Sequence, residues 1–202
     1  GSPGPSIAGV QQWTGQSWIS IGTTAGDDFS GVTTLGEYGG MLVAGGFFAS
    51  INGVPANGVA GWDGLQWHNF GGSGPASHPY VTSIATYRAK MVVAGTFLNE
   101  APLAVWDGTA WSYLPGITGN GSTVRVIGER LYVGGSLYLN GSPNPVSLAL
   151  WDGMNWTALG SGVNNWPQTL LEHDGALYVG GGFSRAGDHA SFGIARWDDQ
   201  MF

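Results

Sequence analysis

Two short motifs recur in step along the chain, and that recurrence limits the fold more than any other property of the sequence. Trp-Asp-Gly-x-x-Trp runs from Trp62 to Trp67, Trp106 to Trp111 and Trp151 to Trp156. Trp13-Thr-Gly-Gln-Ser-Trp18 is the same motif with Thr14 in place of aspartate, and Trp197-Asp198-Asp199 opens a further copy. Successive first tryptophans stand 49, 44, 45 and 46 residues apart. The second motif keeps the same phase: Met41-Leu-Val-Ala-Gly-Gly, Met91-Val-Val-Ala-Gly, Leu131-Tyr-Val-Gly-Gly and Leu177-Tyr-Val-Gly-Gly. A chain built this way repeats one supersecondary unit that cannot bury its apolar faces alone and must stack on its neighbours.

Each unit reads as four short strands, A to D. Strand A is apolar and β-branched, as in Val81-Thr-Ser-Ile-Ala. A tight turn leads to strand B, the short apolar run ending in glycine, which suits a strand buried on both faces. Strand C ends at the first tryptophan and strand D begins at the second. The intervening Asp-Gly is a hairpin signal, because glycine takes positive φ without steric cost. Glycine makes up 37 of the 202 residues, which disfavours long helices. The expected fold is therefore all-β: a β-propeller-like array of four-stranded antiparallel blades, about four blades plus an extra N-terminal hairpin. The blades fall at about 31–71, 80–115, 122–160 and 168–202, the hairpin at 8–21, all in a single domain over 1–202. Either the Trp18-Ile-Ser-Ile strand lies beside the unfinished last blade and closes a ring, or the units form an open arc that another chain or further sequence completes. Four-blade closure is strained and five blades need two more strands, which favours the arc.

Strand B ending in Gly-Gly, then an aromatic before a turn, then the Trp-Asp-Gly-x-x-Trp hairpin, resembles the kelch repeat over about residues 8–202. The variant is similar to the kelch-like repeats of secreted bacterial multi-repeat proteins. That resemblance implies a propeller fold, an extracellular or cell-surface setting, and binding without catalysis.

Charge and motif content narrow the function classes. The net charge of −7 opposes nucleic-acid binding, which needs a basic face to displace counterions. No apolar run reaches the length of a membrane span. The absence of cysteine excludes disulfides and cysteine–zinc sites. Lys90 is the sole lysine, so no phosphate loop exists, and no two of His68, His78, His173 and His189 are within five residues, so no HExxH-type zinc helix is possible. No cofactor, metal site or catalytic residue is expected. Asp63, Asp107, Asp152 and Asp198 share one phase, which points to bonds with the turn backbone. Nine of the ten tryptophans also sit at repeat positions and are expected to pack every unit, Trp13 and Trp18 among them.

Length varies in the D–A and B–C connections, while the A–B and C–D turns stay short. In a meander the former emerge together on one face. Variable loops on a rigid scaffold are where binding usually resides. The loops fall at about 23–30, 48–58, 71–80, 98–103, 116–122, 138–147, 161–167 and 184–192. Their candidate ligand- or partner-binding members are Asp27, Asp28, Phe29, His78, Tyr80, Tyr138, Asn165, Trp166, Arg185, Asp188 and His189. Asp27 and Asp28 also form an acidic pair that suits calcium or sugar hydroxyls as an alternative to a solvated loop. The functional expectation is a non-catalytic scaffold that contacts other proteins or assembles through its blade loops and open ends. A lectin-like, glycan-binding propeller is the alternative, and a glycoside hydrolase with loop-borne carboxylates the remote one.

Overall fold

The computed structural model describes residues 9–26, 30–71, 74–76, 79–97 and 101–198. Among these every regular element is a strand. The first hairpin is β1 (Gly9–Trp13) and β2 (Trp18–Ala25). The first blade is the meander β3 (Gly31–Tyr38), β4 (Met41–Phe47), β7 (Val59–Trp62) and β8 (Trp67–Asn69). Its B–C connection holds the short β5 (Ser50–Ile51) and β6 (Val54–Pro55). The second blade is β9 (Tyr80–Tyr87), β10 (Lys90–Thr96), β11 (Leu103–Trp106) and β12 (Trp111–Tyr113). The third is β13 (Ile117–Ile127), β14 (Arg130–Leu139), β15 (Val146–Trp151) and β16 (Trp156–Ala158). The last has β17 (Pro167–His173), β18 (Ala176–Gly181) and β21 (Ile194–Trp197), with β19 (Arg185–Ala186) and β20 (His189–Ala190) in its B–C connection. The architecture is β-propeller-like, as the repeat requires.

The two glycines that end strand B have different jobs. Strand A carries a bulge at Thr33, Thr82, Ser122 and Gln168 in the four blades. The bulge turns a carbonyl inwards, so a Cβ on Gly46, Gly95 or Gly135 would lie 2.1 Å from a strand-A carbonyl oxygen. The preceding glycine serves the neighbouring blade: a Cβ on Gly45 would press within 2.7 Å of Val81. The bulge hydroxyls also tie blade to blade. Thr33 donates to the Val81 carbonyl, Thr82 to the Gly121 carbonyl and Ser122 to the Pro167 carbonyl.

Four apolar clusters fill the spaces between successive sheets. Val10, Ile51, Ala60 and Trp67 join the first hairpin to the first blade. Val43, Val59, Met91 and Trp106 join the first and second blades. Val92, Leu103, Leu131 and Trp156 join the second and third, and Tyr132, Leu148, Val179 and Trp197 the third and fourth.

Several expectations need correction. Segments 48–58 and 184–192 are not plain loops, because each folds into a two-strand hairpin. Segment 116–122 is largely strand, since β13 extends back to Ile117 to pair with the long β14. The strand starting at Trp18 does not sit beside the last blade: β2 pairs with β1 and β5. Trp13 and Trp18 are exposed rather than packed, because no sheet among the described residues stands against their side of the hairpin.

Non-glycine residues take positive φ in two A–B turns, at Asp174 in the last blade and at two successive positions in the second. Arg88 and Ala89 both have positive φ, 48° and 61°, where the first blade uses Gly39 and Gly40. A Cβ in the left-handed region costs about 1–2 kcal/mol. Ala89→Gly is therefore expected to raise stability by about 0.5–1 kcal/mol once the extra unfolded-state entropy of glycine is offset. Denaturant titration against the parent chain measures it.

Candidate functional site

Asp63, Asp107 and Asp152, the aspartates of the repeated motif, are structural groups. In each Trp-Asp-Gly-x-x-Trp hairpin the paired tryptophans face each other across the strands, and glycine takes φ near +101° to +108° at Gly64, Gly108 and Gly153. This shape aims two backbone N–H groups at the aspartate. Leu65 and Gln66 donate to Asp63 Oδ1 at 2.7 and 2.8 Å, Thr109 and Ala110 to Asp107 at 2.8 and 2.9 Å, and Met154 and Asn155 to Asp152 at 2.7 and 2.8 Å. Thr14 does the same in the first hairpin, its Oγ1 accepting from Ser17 N–H at 3.1 Å.

These bonds favour the charged carboxylate. His68, 2.6 Å from Asp63, together with the Gln66 and Leu65 amides, holds Asp63 down at about 2. The Ala110 amide and the Thr109 side chain and amide hold Asp107 at about 2, and the Asn155 and Met154 amides lower Asp152. The folded values lie below the unfolded value of 3.8, so the stabilisation is present above about pH 4 and disappears as pH falls through the folded values near 2. The melting temperature is therefore expected to drop between about pH 4 and pH 2. Replacing Asp63, Asp107 and Asp152 together with asparagine, which still accepts from the same amides, flattens that slope in thermal melts.

The second indole of each Trp-Asp-Gly-x-x-Trp motif is equally committed. Trp67 Nε1 donates to the Ile21 carbonyl at 2.6 Å, Trp111 to Phe70 at 2.7 Å and Trp156 to Pro115 at 2.9 Å. Each bond crosses to the preceding sheet. The indole N–H thus finds a partner while its ring leaves water, a combination that suits tryptophan at an interface.

On the loop face, the richest group of candidate residues lies where the third blade meets the fourth. Segment 161–167 and the β19–β20 hairpin are stitched together: Val163 bridges Ala186, and Gly187 N–H donates to the Gly162 carbonyl at 2.8 Å. Asn164 Oδ1 accepts from the Ser184 and Arg185 N–H groups at 3.0 and 2.9 Å. Asn165 Nδ2 donates to the Gly182 carbonyl at 3.1 Å, and its Oδ1 accepts from Trp166 N–H at 2.8 Å. At the first blade, Asn52 fastens the β5–β6 hairpin to β2 in the same manner, through Thr23 N–H and the Ile21 carbonyl. Each B–C hairpin is thus held to the segment before it, by Asn52 of the first hairpin and by Asn164 and Asn165 of the segment facing the second, and these amides serve the scaffold.

Of the candidate residues, this rim brings together Asn165, Trp166, Arg185, Asp188 and His189. Trp166 is 41% exposed and borders an open groove of about 260 Å³ with Ser136, Pro145, Val146, Ser147 and Val163. That volume is below the range that encloses a drug-sized ligand. Tyr80 and Tyr138 are also exposed, but they stand apart on β9 and β14. Asp27, Asp28, Phe29 and His78 lie outside the described residues. No group of three or more histidine, aspartate or glutamate side chains among the described residues is placed to hold a metal ion. The clamping role of Asn52, Asn164 and Asn165 escaped sequence reasoning. An asparagine in a loop signals a local turn, not a bond to another segment 17 to 31 residues away.

No protein-family model matches the chain, and no curated protein does. Among solved structures it is similar to the computationally designed Ika4 protein, with 16% identity and a TM-score of 0.51 over 86% of this chain and 94% of that one. The computationally designed Ika8 protein matches at 15% identity and a TM-score of 0.43, and this chain spans 58% of its length. At such identities the likeness to Ika4 is one of fold.

Proposed function

We propose that this protein is a non-catalytic repeat scaffold of the kelch-like type, working outside the cell or at its surface, that contacts other protein chains through its blades. One observation carries this reading. The recurring groups that could do chemistry are bound into the scaffold: the aspartates by turn amides, the interior indoles by carbonyls of the preceding sheet, the loop asparagines by the clamped hairpins. The described surface also presents exposed apolar and aromatic side chains, among them Trp13, Trp18, Tyr80, Phe192 and Ile194, which suit contact with another protein.

A lectin-like reading draws on the half-exposed Trp166 beside its groove, because an indole face stacks well on the C–H face of a sugar. The engagement of Asn164 and Asn165 with the hairpin weighs against it, since each already spends a donor and an acceptor on the scaffold that a sugar hydroxyl would need. A glycan array and a panel of chromogenic glycosides test both. The scaffold reading expects neither binding nor turnover. Glycan binding abolished by Trp166→Ala would establish the lectin in its place, and turnover of any glycoside would overturn the scaffold.

A further inference from the structure

The internal contacts all follow one rule, in which the front of each blade, bearing its tryptophan pair, meets the rear of the blade before it. Rear residues on strand C are fully covered there: Val59, Leu103 and Leu148 are 0–1% exposed. Register places Ile194 of β21 at the same position, opposite Gly180 as Leu148 is opposite Gly134. Ile194 is 65% exposed; Phe192, two residues before it, is exposed, and so is Leu171, which the sheet register puts in the row of Tyr178 and Arg196. The bulge residue Gln168, where earlier blades use a hydroxyl to reach the next blade, faces solvent as well. At the other end, Trp18 corresponds to Trp67 and Trp156, which are 4% and 5% exposed, yet it is 64% exposed itself. Trp13 packs against it at 5.5 Å between ring centroids and is also exposed.

The described chain therefore carries one uncovered front and one uncovered rear of the same interface. We propose that a second copy of this chain covers them head to tail, the β1–β2 face of one copy seated on the β17–β18–β21 face of the next. This deepens the scaffold reading and rests on it. A like-with-like pairing fits less well: two fronts would set indoles against indoles, and two rears would leave Ile194 without the tryptophan face that covers Val59, Leu103 and Leu148 between blades. The front offers the neutral Gln11, two residues from Trp13 on the same face of β1. A front-to-rear contact is heterologous, so each copy keeps one free face and assembly continues unless the rotation closes a ring.

The test is the mass of the 202-residue chain in solution, with two variants, Trp18→Glu and Ile194→Glu. Both side chains are exposed, so circular dichroism and melting of the dilute variants should match the parent. The parent should exceed its 21.0 kDa monomer mass, increasingly so with concentration. Each variant alone should be monomeric, having lost one of the two faces. Their equimolar mixture should recover a dimer and nothing larger, because one intact front then meets one intact rear. A parent that stays monomeric at every concentration, variants that assemble like the parent, or a mixture that stays monomeric would each overturn the proposal. A monomeric parent with a silent glycan array sinks the head-to-tail contact alone; a glycan hit sinks the scaffold reading whatever the mass.

Discussion

Trp156→Ala is expected to lower stability by about 3–5 kcal/mol, the range for emptying a buried aromatic site. Its indole is sealed between the second and third blades, tilted against Trp151 with ring centroids 5.1 Å apart. Two losses add. The apolar contacts of the ring with both blades disappear, and the Pro115 carbonyl loses the N–H that satisfies it. Trp18→Ala provides the control within the same motif. Measured on dilute chain, it should change stability by less than about 0.5 kcal/mol, as surface substitutions do. Urea titrations of both variants decide it. Equal losses would mean that the motif stabilises each hairpin locally through its cross-strand pair and not through contact between blades.

Gly135→Ala is expected to cost about 3 kcal/mol, the upper end of the range for overpacking. The added Cβ would fall 2.1 Å from the Asn120 carbonyl oxygen and 3.1 Å from the Gly121 Cα. Both obstacles are backbone of the bulge, so no side chain can swing aside. Relief requires β13 to move off β14, which also draws Ser122 away from the Pro167 carbonyl and loosens the fourth blade. Gly182→Ala, immediately after the equivalent pair Gly180–Gly181 in the last blade, meets no atom within 4 Å and should be nearly neutral. The two midpoints in denaturant separate a steric requirement from the general entropic effect of replacing glycine, which would shift both variants alike.

Within a unit, the pattern of residues was enough. The alternation around Val81-Thr-Ser-Ile-Ala, the Gly-ended strand B and the Trp-Asp-Gly-x-x-Trp turn each specify local backbone geometry, and the structure has the strands and turns where those signals stand. The aspartates were legible for the same reason, because their partners are amides two and three residues along the chain. Contacts between units were not legible. The second strand-B glycine exists for a bulge in strand A, Asn52 bonds back to the preceding unit, and Asn164 and Asn165 bond forward to the B–C connection of the last blade. None of these partners has a fixed sequence spacing that a repeat would advertise.

The sequence by itself determined the repeat, the all-β meander within each blade and the tight turns, because these depend on side-chain alternation and on φ preferences that act over a few residues. Only the tertiary structure decided which members of a repeated motif are buried. Trp18 and Trp156 are the same letter in the same phase, and so are Ile194 and Leu148 at the level of apolar character. Burial belongs to the presence of a neighbouring blade, and a motif repeated identically along the chain carries no mark of where its neighbours stop.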